Sequence, residues 1–147
     1  IISGFGKADS EIDFSSGLTF VVGPSNTGKS HVMDGIDYLF GFSESTSSPF
    51  RFEQDWGYDK FTLVVKTPHG NVILTRKLGE KKISVTGTDE RINQGEYSVS
   101  SNGANSISSV WLKLIGIDKP VQILSSKEGK TQNLTCRGMM HLFFVNQ

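Results

Sequence analysis

The chain carries a single cysteine, Cys136, among 147 residues, so no intrachain disulfide can form. One thiol suits a reducing compartment, and Cys136 reads as a small apolar core residue rather than a nucleophile. No apolar run approaches the roughly 18–20 residues needed to cross a bilayer, and no charged-then-apolar signal segment opens the chain. Together these absences give the expectation of a cytoplasmic protein with no membrane partner. Net charge is absent too, since 15 Lys and Arg balance 15 Asp and Glu. That balance gives no global case for nucleic acid, and the only dense basic patch is Lys77, Lys81 and Lys82. The four arginines, Arg51, Arg76, Arg91 and Arg137, do not cluster. Ile1 opens the chain and the apolar run LFFVNQ closes it without a turn signal, the expected appearance of a piece of a longer protein.

The length allows one domain with a hydrophobic core. The first twenty residues read as a hairpin: Ile1 and Ile2 open an apolar segment, Ile12 and Phe14 alternate around Asp13, and Ser15-Ser16-Gly17 makes a turn. Leu18 to Val22 follows as a short, continuously apolar run of the kind buried in a sheet. Val32, Ile36, Leu39 and Phe40 then fall on one face of a helix, with Asp34 and Asp37 opposite and Gly41 as the stop. Residues 43 to 57 are polar and read as an excursion.

FTLVVKT and VILTRKL flank Pro68-His69-Gly70-Asn71 and predict a β-hairpin, to which KISVT adds a third strand. Residues 87 to 105 are rich in Ser, Asn and Gly and read as a loop. Ile107, Val110, Trp111 and Leu114 predict a second amphipathic helix, capped by Ser106 and closed by Gly116. VQIL reads as a short strand, Lys127 to Lys130 as a turn, and Leu134 to Val145 as a final apolar helix holding His141.

Between the first apolar run and the first helix lies GPSNTGKS: Gly23, Pro24, Ser25, Asn26, Thr27, Gly28, Lys29 and Ser30. It meets G-x-x-x-x-G-K-[ST] at every fixed position. Gly23 and Gly28 permit backbone angles closed to other residues, so successive N–H groups can turn towards one phosphate. The helix that follows adds its partial positive charge. Lys29 can reach outer phosphates, and the Ser30 hydroxyl can ligate Mg²⁺. A buried strand before and an amphipathic helix after are the setting this chemistry needs, so the loop is a predicted nucleotide site. His31 beside it reads as a helix-surface residue.

Many enzymes share such a loop. A GTPase would carry N-K-x-D, which is absent. A small P-loop phosphotransferase would begin near its loop strand and bring arginine-rich lid segments. A RecA-like or AAA+ motor would show an apolar strand ending in Asp or Asp-Glu. The nearest candidate ends in Asn146-Gln147, which leaves a degenerate version of that motif open. A non-catalytic nucleotide-sensing module stays open as well.

IDFSSGLTFVVGPSNTGKSHVMDGIDYLFG resembles the N-terminal ATPase lobe of the SMC and RecN/RecF group of ABC-type ATPases. GYDKFTLVVKTPHGNVILTRKL looks like the antiparallel β-insertion that follows there, with Arg76 ending the second strand. Gly23 to Ser30, Gly57-Tyr58-Asp59 and Leu134 to Phe143 are similar to segments of prokaryotic AAA-type ATPases with SMC-like heads. The resemblance implies an α/β P-loop fold over residues 1–147, with a mixed sheet and an antiparallel β-subdomain at about 57–87. It implies ATP and Mg²⁺ as cofactors, Lys29 and Gln147 in catalysis, and Ser30 and Gln147 at the metal. Gln147 would be the Q-loop residue, although close relatives often have an acid near this point. Lys7 would lie near the nucleotide, while Trp56 and Tyr58 would pack the β-insertion. The implied partners are the C-terminal ATPase lobe of the same protein, a second head in a homodimer, and DNA. The signature motif and the Asp-Glu strand would lie downstream, leaving this piece nearly inactive alone.

Overall fold

The computed structural model describes residues 1–25, 28–42, 57–100, 105–125 and 129–140. Its main sheet has five strands in sequence order: β1 (Ile2–Ser3), β2 (Lys60–Thr67), β3 (Gly70–Lys77), β4 (Lys82–Gly87) and β5 (Gly95–Ser98). Every neighbour pair is antiparallel. The expected β-hairpin is there, with Thr67 paired to Gly70 around Pro68-His69, and KISVT is its third strand. The antiparallel subdomain is therefore larger than the sequence suggests. The mixed sheet is not formed by the described residues, whose one parallel contact is the isolated bridge Ser98–Ser106.

Alternation sorts the sheet's two faces. Phe61, Val72, Leu74, Ile83 and Val85 are buried on one side. Helix α1 (Lys29–Leu39) and helix α2 (Ile107–Leu114) complete this core. α1 buries Gly35, Tyr38 and Leu39. Of the predicted face, Leu39 is buried and Phe40 packs against the core, while Val32 and Ile36 are half-buried. The inward face is therefore rotated towards Gly35 and Tyr38. The rotation has a steric cause. A Cβ on Gly35 would stand 3.3 Å from the Phe61 ring, so the helix approaches the sheet where it has no side chain.

Tyr38 follows one turn later and meets Phe61 edge-on, with ring centroids 5.4 Å apart. α1 stops at the predicted place, with Phe40 as its C-cap and Gly41 beyond. α2 is capped by Ser106, whose hydroxyl accepts from Ser108 N at 3.2 Å, as expected. Trp111 stacks on Phe40 at 3.9 Å, locking the two helices together.

Three expectations fail. Residues 87–105 are not simply a loop, because Gly95–Ser98 extends the sheet and Ile92 is buried. A four-residue polar edge strand offers no periodicity to detect. Leu18 to Val22 is not a buried strand: it has no ladder partner among the described residues, and Leu18, Phe20 and Val22 are 76%, 76% and 86% exposed. A continuously apolar strand needs cover on both faces, which the described residues do not supply. The predicted opening hairpin shrinks to the single bridge Ile2–Ser10.

The last described elements are a small hairpin, β6 (Gln122–Leu124) with β7 (Thr131–Asn133), and helix α3 (Cys136–Met140). β6 is the predicted VQIL strand, whereas β7 was not foreseen. The rest of the predicted last helix, with His141, and part of the Lys127–Lys130 turn lie outside the described residues. Cys136 is buried in the core, and burial pushes its thiol up to about 11. It therefore stays protonated at neutral pH, as a core residue would.

One charged cluster ties the sheet's far end together. Asp89 accepts from Arg91 Nη2 at 2.7 Å, Arg91 Nε at 3.0 Å and Thr67 Oγ1 at 2.6 Å. The Arg91 bonds first, and the Thr67 bond second, hold the Asp89 carboxyl well below the usual carboxylate range. An unfolded aspartate titrates near ~3.9, so the unfolded chain takes up this proton first on acidification. The contribution is thus complete at neutral pH and is lost as pH falls from about 4 towards the lower folded value. Denaturant titrations between pH 7 and 3 should show stability falling more steeply for the native chain than for Asp89→Asn.

Candidate nucleotide-binding site

The predicted phosphate loop sits at the start of α1. Asn26 and Thr27 lie outside the described residues, and Gly23, Pro24, Ser25, Gly28, Lys29 and Ser30 are described. Gly28 is the N-cap, with φ 81° and ψ 10°. That left-handed conformation is strained for residues bearing a Cβ, which is a physical reason for glycine at the second fixed position. The Gly28 carbonyl accepts from His31 N at 3.0 Å and starts the helix.

Two features keep this helix end suited to an anion. Among the described residues no side chain caps it, and no acidic residue stands in its first turn. The partial positive charge of the first turn is therefore not opposed by a local carboxylate. Lys29 donates from Nζ to the Gly23 carbonyl at 2.9 Å and also to the Pro24 carbonyl. The ammonium thus spans the loop and draws its two ends together. Ser30 follows on the first turn and is exposed, as a hydroxyl ligand for Mg²⁺ must be. Lys29, Ser30 and the helix end fit the phosphates and metal of a nucleotide.

His31 lies one helical turn from Asp34, Nδ1 to Oδ2 3.8 Å, consistent with a helix-surface role. Lys7 occupies the turn after β1, its stem against Gly57, where a Cβ would stand 2.8 Å from Lys7 Cε. Tyr58 donates to the Ala8 carbonyl at 3.3 Å and packs against the core, holding that turn to the sheet. Trp56 and Gln147 lie outside the described residues.

A family model described as an AAA domain matches residues 2–119. The chain belongs to the AAA domain family. It is thus a nucleotide-binding domain of ATPase type, a class that generally uses ATP with Mg²⁺. No curated protein and no solved structure matches the chain significantly. No helix of the AAA domain's described residues is long and apolar enough to cross a membrane.

Sequence reasoning missed two anchors that hold α1 in place. Asp37, read as a solvent-side residue, accepts from Arg137 at 2.8 and 3.3 Å, tying α1 to α3 across a hundred residues. Arg76, 3% exposed, lies over the Tyr38 ring at 3.6 Å. It donates to the carbonyls of Tyr38 at 2.6 Å, Phe42 at 2.7 Å and Glu80 at 2.8 Å. The only sequence signal was an arginine at the end of an otherwise apolar strand.

Proposed function

We propose that this AAA domain is the ATP-binding N-terminal lobe of an SMC-like, ABC-type ATPase head. The observation that carries the nucleotide reading is the uncapped, acid-free start of α1, with Gly28 left-handed and Lys29 bridging the loop. Lys29 and the loop amides would stabilise charge on the transferred phosphoryl group. Ser30 would hold Mg²⁺, which when bound neutralises phosphate charge, and Gln147 would position metal or water.

The lobe assignment rests on the resemblance of the loop segment and of the antiparallel insertion behind it. The exposed apolar run Leu18–Val22 agrees with a strand whose neighbours belong to another lobe. In this reading two heads clasp ATP between them, and hydrolysis opens the dimer. The whole would act on DNA, in repair, chromosome maintenance or defence against foreign DNA.

The test is ATP binding by this chain with Mg²⁺, with turnover followed in the same samples. Binding with negligible turnover is the expected result for half of a composite site. Robust turnover by the chain alone would overturn the half-site reading and favour a self-sufficient phosphotransferase. A complete protein that binds ATP but has no downstream catalytic carboxylate would instead be a nucleotide sensor.

A further inference from the structure

The five-stranded sheet has a second face, opposite the core, and its register arranges charge there in an unusual way. Lys60 stands directly across from Lys77 on the neighbouring strand. Extending the Thr75–Ser84 pairing by two residues sets Lys77 across from Lys82, and Lys82 pairs with Ser98. Three lysines therefore form one lateral row over three adjacent strands, with a serine at its end. All four residues are exposed. No ion pair to these lysines occurs among the described residues.

Such a row opposes folding. Like charges directly opposite one another, about 5 Å apart at Cβ, are destabilising. No ion pair among the described residues offsets the cost, so a ligand of opposite sign is the natural source of compensation. The row is also held in place from beneath. Tyr38 donates its hydroxyl hydrogen to the Lys77 carbonyl at 2.8 Å and accepts from Gly79 N at 2.9 Å. Arg76 holds the Glu80 carbonyl in the same turn. The turn between Lys77 and Lys82 is thus fixed to α1, and Lys81 on it is exposed too.

The next row of the same face is Thr62, Thr75 and Ser84, ending at Glu96. Hydroxyls beside ammonium groups match phosphate oxygens, which accept from both. Glu96 is the one carboxylate at the strand positions of this face, against Lys60, Lys66, Lys77 and Lys82. No strand position of this face is aromatic; Phe61 and Tyr97 belong to the core side. Single strands are held by stacking on aromatic rings, so the face suits the backbone of a duplex.

We infer that the outward face of the sheet, centred on Lys60, Lys77 and Lys82, docks the phosphate backbone of double-stranded DNA without reading its sequence. This rests on the DNA partner in the function proposed above, but not on its nucleotide chemistry.

The experiment measures binding of a labelled DNA duplex to the native chain and to a Lys60→Ala/Lys77→Ala/Lys82→Ala variant over a range of salt. Lys119→Ala, at another exposed lysine, is the control. Each lost phosphate contact removes about one unit from the slope of log K against log salt. The triple variant should lose about three units of slope and bind at least about tenfold more weakly, while Lys119→Ala binds as the native chain does. Its thermal midpoint should be unchanged or higher, because repulsion is relieved. Equal binding by the triple variant, tighter binding of single strands than of duplex, or no duplex binding at low salt would each overturn the inference. ATP binding measured on the same samples reports on the nucleotide site separately, so failure of one reading is distinguishable from failure of the other.

Discussion

Lys29→Ala is expected to weaken nucleotide binding by about 10- to 100-fold while leaving the chain folded. A charged hydrogen bond contributes about 1.5–3 kcal/mol, and each 1.4 kcal/mol is a factor of about ten in affinity. Here two losses combine. The cation that would meet the outer phosphates disappears, and so do its bonds to the Gly23 and Pro24 carbonyls. Those bonds draw the loop ends together before any ligand arrives, so the alanine variant would also have a looser loop.

Lys29→Arg separates the two losses. Arginine keeps the charge but carries a planar fork in place of a compact ammonium, and it should recover part of the affinity at best. The measurement is a titration with ATP and Mg²⁺, beside a thermal melt. A Kd unchanged in Lys29→Ala would reduce the glycine-rich loop to a turn between segments and remove the basis of the ATPase reading. Equal loss of affinity and of melting temperature would instead make Lys29 a structural brace.

What the sequence announced and what it hid differ by range. The helix start after Gly28, the turn at Pro68-His69 and the Ser106 cap were legible because each is fixed by residues a few positions apart. The β2–β3 hairpin was legible for the same reason, since alternation and a short turn decide it together. Residues 95–98 were not, because an edge strand tolerates polar residues on both sides and Gly-Glu-Tyr-Ser looks like loop. The buried face of α1 was misread by part of a turn. Periodicity favours the large apolar residues, but the close approach to Phe61 selects Gly35, and that follows only from the packed sheet.

Leu18 to Val22 is the instructive miss. Its composition states that it should be buried, and the described residues leave it exposed. Composition reports a preference for cover without saying which chain segment provides it. The pairing of Asp37 with Arg137 was beyond any local rule, as their separation of 100 positions shows.

Arg76→Met should produce the largest loss of stability, about 3–5 kcal/mol, or a fall of roughly 10 °C in melting temperature for a chain of this size. The last carbonyls of a helix have no partner within it and carry its partial negative charge. At α1 the Tyr38 carbonyl and the nearby Phe42 carbonyl both accept from Arg76, at 2.6 and 2.7 Å. The same side chain holds Glu80 in the β3–β4 turn and lies over the Tyr38 ring. Methionine keeps much of the length and apolar stem but removes the donor to three carbonyls. Tyr38 keeps the longer bond from Gly41 N at 3.3 Å, Phe42 is half-buried and Glu80 lies in an exposed turn. A carbonyl left buried and unsatisfied costs about 1–3 kcal/mol.

Lysine in place of Arg76 restores charge without the fork, so it should recover only part of the loss. The consequence extends to the other end of the helix. α1 carries Lys29 and Ser30 at its start, and Arg76 fixes its finish against the sheet. Under conditions where Arg76→Met is still folded, its ATP affinity should fall as well, with Arg76→Lys intermediate in both respects. Urea unfolding and ATP titration of the same preparations measure the two effects. A destabilisation below about 1 kcal/mol would mean that the carbonyls find other partners and that Arg76 is not what anchors the helix. Full stability loss with unchanged affinity would confine its role to the core and detach it from the nucleotide site.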